Sequence, residues 1–350
     1  MMEHREPPRI VTGDRRLEGA LEDTGGRFPF RRFPLVRNQR QIHFGRALLF
    51  IVAALAVLIV LFYLGSQATR AAIGWLHHQS QYQLPFEQIQ LVPEPPPWFR
   101  GGARAFLEAA RLDARESESI PMLDVTPDQI ILDFKNYAWV RDVGQVTYGQ
   151  KTIIVPIRYR QPVAYVQLLK GDQKLVDETG TILRTRDIDE TRLDQVVRLG
   201  HLIRIEGTGL AAPSDPRPGI VWKTRAVGSD HEEVDLRVLA AAKLAGFLSQ
   251  PSQVRDAESI PALRILQIIV TDLPSPGAFG LFVLNAEDTA IWWNEAPGDE
   301  HPGRPNAAEK WAMLRRWRES TDPRTVPTGD YLAFKGTQVS QVCKHDKHPH

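Results

Sequence analysis

The sequence predicts an α+β protein carried on a single N-terminal transmembrane helix, and three observations predict it. Residues 47–64, ALLFIVAALAVLIVLFYL, form an apolar run without Pro or Gly. Beyond residue 85, short stretches alternate apolar and polar side chains with the period of half-buried strands, while others repeat with helical spacing. Helix-start signals at Thr126, Ser229 and Asn306 head three of the helical stretches.

About 18 apolar residues at 1.5 Å rise approach a ~30 Å hydrocarbon core. The uncharged flank through Thr69 supplies the remainder, so the span is expected over residues 47–69. Its flanks are unequal. Arg27, Arg31, Arg32, Arg37, Arg40 and Arg46 precede it with no acid among them, whereas Arg70 stands alone on the far side. The positive-inside rule therefore places residues 1–46 in the cytoplasm and everything after the span outside, with Tyr63 and Trp75 suited to the outer interface. A cleavable signal peptide has a shorter apolar region, a basic region near its start and a small-residue cleavage site. Here a long tail precedes the run and no A-x-A follows, so a retained anchor is expected, with the arginines also contacting inner-membrane lipid headgroups.

The chain has 350 residues, a formal net charge of +1 and one cysteine, Cys343. About 270 residues remain outside the membrane, enough for two modest domains. The tail through Arg46 holds ten basic and six acidic residues, which leaves the exported part mildly acidic. A nucleic-acid partner would need clustered Lys and Arg, so none is expected. With a single cysteine no intrachain disulfide forms, and the outer domains must hold by packing. These properties suit a bacterial inner-membrane protein, crossing once, with a periplasmic body.

Residues 1–46 lack a sustained apolar period and read as a largely disordered tail. Residues 70–84 are a juxtamembrane segment, in which 71–83 could continue the helix until Pro85 ends it. Residues 86–92 alternate as a strand, and Phe106, Leu107 and Ala110 mark a short helix over 103–112. Thr126-Pro127-Asp128 opens a second helix, with Ile130, Ile131 and Phe134 as its stripe. Strands at 139–147 and 152–160 follow, and Pro156 in the second predicts an edge or a bulge. Strand, helix, helix, strand, strand thus describes a small module over 85–160.

A second, β-rich unit over residues 161–342 begins without a linker. A hairpin joins 163–169 to 174–176, Asp177-Glu178-Thr179-Gly180 turns the chain, and 181–183 and 202–207 are short and apolar. Residues 187–197 form a polar connector and 211–219 a Pro-rich loop. Ser229 and Glu232 form a capping box opening a helix over 230–248, lined by Val234, Val238, Ala241, Ala245 and Leu248. A meander at 263–271, 279–284 and 289–293 comes next. Asn306 and Glu309 then open a helix with Trp311, Leu314 and Trp317 on one stripe. Strands at 331–334 and 338–342 close the unit, and residues 343–350 read as disordered.

The middle of the chain resembles the FtsQ/DivIB family of bacterial cell-division proteins. Tyr137-Ala138-Trp139-Val140 matches its "pWV" opening, Tyr159-Arg160-Gln161-Pro162-Val163-Ala164 its "ER-x-PvA" corner, and Leu175-Val176-Asp177-Glu178-Thr179-Gly180 its "lvD-x-x-G" turn. The three occur in order and at similar spacing, and with the anchor and late helix the likeness spans about residues 27–342. The usual Glu before the corner Arg is Tyr159, Gly149-Gln150 replaces a common Pro, and 211–228 and 295–305 are long, so the resemblance is to a divergent member. It implies a POTRA-like module over 85–160, a β domain over 161–342, and a non-enzymatic division scaffold at the septum. It also implies partners similar to FtsB and FtsL at the late strand, here Tyr331, Leu332, Phe334 and Val339. A terminal strand with an unpaired row of N–H and C=O groups can capture a partner segment while aromatic side chains anchor it. The same side chains could simply face the core. Trp139 and Val140 could dock a partner or pack on the helix carrying Ile130 and Phe134. Arg160, just before Pro162, could tie the two domains together or lie solvated on the surface.

Catalytic motifs are missing from the sequence: no G-x-S-x-G, no Walker loop, no H-E-x-x-H. His231-Glu232-Glu233 fits a helix first turn as well as acid–base work. Cys343, His345, His348 and His350 could chelate a metal or be a solvated tail, and His77-His78 invites the same two readings. Trp292-Trp293 could stack on a sugar, although strand alternation alone puts their rings on opposite faces. Neither cofactor nor small-molecule substrate is expected. Rival functions are a POTRA-bearing envelope assembly or secretion factor, and a cell-wall hydrolase.

Overall fold

A computed structural model of the chain describes residues 40–342 except 192–201, 226–230, 321–329 and the positions 78, 80–81, 123–124, 150–151, 169–170, 190, 208 and 276. Most of the expected cytoplasmic tail, and the tail carrying Cys343, His345, His348 and His350, lie outside the described residues. The chain divides into two compact units, Met1–Arg70 and Ala71–His350.

Helix α1 (Arg40–His77) is longer than the expected span. Its apolar stretch, Leu48–Leu76, covers 29 residues, none of it buried. At 1.5 Å per residue it reaches about 44 Å, enough to cross a hydrocarbon core with tilt. Phe62 is 79 % exposed, a state that water disfavours and lipid does not. Ser66 donates its hydroxyl to the Tyr63 carbonyl and Thr69 to that of Gly65 (2.8 and 2.6 Å), so their polar groups are satisfied within the helix. The helix stops at His77 rather than continuing to 83, because the following Gln- and His-rich run offers no apolar stripe.

Beyond α1, a small sheet and two helices form first. Strand β1 (Gln83–Pro85) pairs antiparallel with β3 (Ser119–Pro121), and β2 (Gln90–Val92) follows a 3-10 turn at Phe86–Gln88. The expected single strand over 86–92 is therefore broken, with Phe86 buried in the turn. Helices α2 (Gly102–Ala114) and α3 (Pro127–Lys135) come next. Thr126 caps α3 by accepting from the Gln129 N–H at 3.3 Å. Strands β4 (Val140–Val143), β5 (Thr147–Tyr148) and β6 (Ile153–Tyr159) complete the module, in the sheet order β2-β6-β4, with β2 parallel to β6. Strand β6 is thus interior, where Pro156 was expected to mark an edge or a bulge. Its carbonyl accepts from Gly144 at the break between β4 and β5, so the missing N–H faces an interrupted ladder.

The second sheet has nine strands. They are β7 (Pro162–Gln167), β8 (Gln173–Asp177), β9 (Ile182–Leu183), β10 (Ile203–Gly207), β13 (Ile265–Asp272), β14 (Phe279–Asn285), β15 (Ala290–Asn294), β16 (Tyr331–Lys335) and β17 (Gln338–Val342). Their spatial order is β17-β16-β15-β14-β13-β10-β7-β8-β9. Pairs β7·β10, β10·β13 and β15·β16 are parallel. Parallel neighbours need crossovers. Helices α4 (Leu236–Leu248) and α5 (Pro251–Ser259) lie between β10 and β13, and α6 (Ala307–Ser320) between β15 and β16.

Two helix starts contrast. Asn306 and Glu309 form the expected box, each side chain accepting the other's N–H at 3.0 and 2.8 Å. The helix expected from 230 instead begins at Leu236, capped by Asp235, which accepts from Arg237 and Val238. Residues Glu232–Val234 form β12, paired with β11 (Lys223–Arg225). There Glu232 faces Arg225 across the hairpin, and Asp235 supplies a cap immediately before the apolar stretch.

One face of the large sheet packs on α4, α5 and α6, with Val176, Ile205, Ile268, Val283, Trp293 and Leu332 in that core. On the opposite face Leu175 and Leu183 join Ile188 and the core of the small module, so the two sheets meet along a shared apolar seam. Further along that face, Trp292, Tyr331, Ala333 and Val342 form a separate cluster. Trp292 turns the Cη2 edge of its ring toward Gly280, where a Cβ would sit 1.9 Å from Cη2. Gly280→Ala should therefore destabilise the protein by about 1–3 kcal/mol through overpacking. Chemical denaturation checks this; an unchanged midpoint would mean that the ring has room to move.

Candidate functional site

The two margins of the large sheet differ. At the β9 margin the chain closes its own edge: Ile182 N–H donates to the Ile220 carbonyl, Gly219 N–H to that of Ile182, and Trp222 N–H to that of Gly180. At the other margin β17 pairs with β16 alone, and no further strand lies beyond it among the described residues. Strand β17 reads Gln-Val-Ser-Gln-Val, with none of the Lys or Pro that usually guard an edge. A two-residue turn holds it, with Gly336 at φ +57°, a left-handed value that glycine adopts without strain.

This changes which residues stand at the open margin. The row of unpaired groups expected near Tyr331 belongs to β17, because β16 is flanked on both sides. Tyr331 is buried, its ring edge-on to Phe282 with centroids 5.6 Å apart. Leu332 is 1 % exposed and sits in the main core. Phe334 is half-buried, edge-on to Trp293 at 5.7 Å. Val339 lies on β17 opposite Phe334 and half-buried beside it. The candidate contact is therefore the backbone of 338–342, and the aromatics support it from behind.

The other singled-out residues gather where the chain passes from the small sheet to the large one. Arg160 extends the first ladder by donating its N–H to the Trp139 carbonyl at 2.8 Å. Its guanidinium donates to Asp177 Oδ2 at 2.7 Å. Asp177 Oδ1 accepts from Thr179 N–H, Thr181 N–H and the Thr179 hydroxyl, at 2.9, 2.9 and 2.6 Å. Pro162 faces Asp177 across β7 and β8, and Gly180 makes the turn with φ +70°. Trp139 and Val140 are buried. The Trp139 ring packs against Trp98 and Phe99, with Ile130 and Phe134 in the same cluster.

A second tie carries no sequence signature. Trp139 Nε1 and the Tyr137 hydroxyl both donate to Asp187 Oδ2, at 3.0 and 3.3 Å. Arg184 Nη2 reaches both carboxylate oxygens of Asp113 on α2 at 2.6 Å. Burial, with the Asp187 charge next, raises the Tyr137 pKa above its ordinary 10.0. Neither Asp113 nor Asp187 lies in a recognisable motif; a buried Tyr-x-Trp pair needing acceptors was the available clue.

Trp292 and Trp293 are both buried, on opposite faces, so neither ring is offered flat to a sugar. Glu232 and Glu233 lie exposed in β12 rather than in a helix first turn. Among the described residues, no three His, Cys, Asp or Glu side chains are grouped to hold a metal. No family model matches the sequence, and no curated protein matches it significantly.

Removing one member of the buried pair leaves the other charge without its partner, so Asp177→Asn or Arg160→Met should each cost about 3–5 kcal/mol, whereas the double variant, in which Asn keeps an oxygen for the turn, should lose less than the sum of the two. Denaturation of the single and double variants measures the difference, and additive losses would refute the coupling. Titration gives a second expectation. A tyrosine whose folded pKa is raised contributes stability in full below the unfolded value of 10.0, and loses it as pH rises above that value. The Tyr159 pKa is also raised, by burial. Unfolding midpoints should therefore fall above pH ~10, and Tyr137→Phe should flatten part of that slope.

Proposed function

We propose that this protein is a non-enzymatic, membrane-anchored scaffold that captures another polypeptide by adding its strand to β17. The observation that carries this is the margin itself: among the described residues the sheet has nine strands, one edge closed by the chain's own loop and the other without a neighbour beyond β17. Such an edge gives affinity through main-chain hydrogen bonds, with Val339 and neighbouring side chains tuning specificity.

The motifs that resemble the FtsQ/DivIB family give the reading its biological setting. The β2-α2-α3-β4-β6 order, with β2 parallel to a central β6, is the arrangement expected of a POTRA-like module. On this reading α1 holds the chain once in the bacterial inner membrane. Its arginine-rich flank stays cytoplasmic, and both sheets lie in the periplasm at the septum. The partners are single-pass division proteins similar to FtsB and FtsL. No step of this function needs a cofactor or a reacting side chain.

In an edge strand alternate residues turn their N–H outward, so of Val339 and Ser340 one points at the partner and the other at β16. Proline at the outward position should leave the fold intact and abolish rescue in cells depleted of the protein. Depletion itself should give unseptated filaments, and a fluorescent fusion should form a midcell band. Normal septation after depletion would overturn the division role, and full rescue by both proline variants would overturn strand addition.

A further inference from the structure

A cavity of about 350 Å³ opens at the end of β15 and β16, lined among others by Trp293, Glu295, Arg304, Lys310, Phe334 and Lys335. Lys310 on α6 is 3 % exposed. Its Nζ donates to the Trp293 carbonyl at 2.9 Å and lies 5.8 and 5.9 Å from the Trp293 and Phe334 ring centres. No carboxylate among the described residues pairs with it.

The nearest acids are committed elsewhere. Glu295 accepts from Arg304 Nη1 at 2.9 Å and the His301 N–H at 3.2 Å, and its Oε1 lies 2.6 Å from His301 Nδ1. Glu300 accepts from the Ala307 and Gly298 N–H groups. A second donor in the same wall is also short of an acceptor: Trp293 is fully buried and its Nε1 has no hydrogen-bond partner among the described residues. Burial lowers the Lys310 pKa, while Glu295 and Glu300 act against that shift. A buried ammonium with one neutral acceptor and two aromatic faces costs stability unless a countercharge arrives.

Lys310, Arg304 and Lys335 outnumber Glu295 in the lining, and the rest of the wall is largely apolar. We propose that this cavity binds a carboxylate carried on an apolar stem, as a polypeptide presents at its C-terminus or on a glutamate, with Lys310 as the ion-pair partner and the half-buried Phe334 flanking the stem. A phosphate fits less well, because it needs several donors around it and gains nothing from aromatic walls. The inference stands apart from strand addition at β17, since the probes below have no strand to add.

Equilibrium dialysis of the full chain in lipid nanodiscs tests it. N-acetylleucine represents a C-terminal carboxylate, and N-acetylglutamate α-methylamide a side-chain carboxylate. At least one should bind saturably, and which one binds identifies the source. N-acetylleucinamide and inorganic phosphate should bind at least tenfold more weakly. Lys310→Met, close in size, should lose at least tenfold in affinity while its melting temperature in the absence of ligand is no lower than the parent's. Should that variant fail to fold, Arg304→Gln at the half-exposed mouth should weaken binding severalfold. No saturable binding of either acid, equal binding of the amide or of phosphate, or unchanged affinity in the folded variants would overturn the proposal.

Discussion

The relation between the two sheets depends on one carboxylate. Asp177 closes its own turn by accepting two N–H groups and a hydroxyl on one oxygen, and it holds the Arg160 guanidinium with the other. Arg160 is the residue at which the chain leaves the first sheet, its N–H still bonded to Trp139, two residues before the second sheet begins at Pro162. A turn in one sheet and the exit strand of the other are thus locked at a single ion pair, whose Asp side chain is 3 % exposed and whose Arg side chain is 18 % exposed. Around it the apolar seam of Leu175, Leu183 and Ile188 provides area without direction. The ion pair provides direction, because a guanidinium accepts few geometries.

That division of labour explains what the sequence revealed. The Arg-x-Pro corner and the Asp-x-x-Gly turn are legible because each depends on residue types with few substitutes: a fixed fork, a locked φ, and a glycine in left-handed conformation. The long apolar helix, the hairpin of β7 and β8, the meander and the Asn306 cap are legible for a related reason, since each is set by local composition and period or by a reciprocal side-chain bond. The expected helix over 230–248 went astray where two local signals competed. Ser229 lies outside the described residues, Asp235 supplies the cap because it abuts the apolar stretch, and pairing with Lys223–Arg225 claims Glu232–Val234. Helix α5 was passed over although Pro251 stands at its first turn.

What stayed hidden is non-local. That β10 would lie between two parallel neighbours follows from α4 and α5 folding back as crossovers, and no five-residue apolar run announces this. The open margin was assigned to Tyr331 and its neighbours because aromatic alternation is conspicuous, yet conspicuous apolar residues are what an interior strand needs. The strand outside it is polar and inconspicuous for the same reason. Nor could spacing show that Lys310, on the stripe side of a helix, would be buried against two rings without an acid beside it.

The two ends of the large sheet differ in how far each is closed to further pairing. An edge is hazardous in proportion to its length and flatness. Strand β9 is two residues long and loop-covered, so capture there is blocked by the chain itself. Strand β17 is five residues long and backed on one face by Trp293 and Phe334, on the other by Trp292 and Tyr331. Those rings hold β16 in place from both sides, so the outermost strand is presented on a rigid support and a partner need not order it on binding. Rigidity of this kind lowers the entropic cost of association. On the proposed reading it also accounts for the tryptophans behind the margin: buried there, they stiffen the edge on both faces while leaving its backbone for a partner strand.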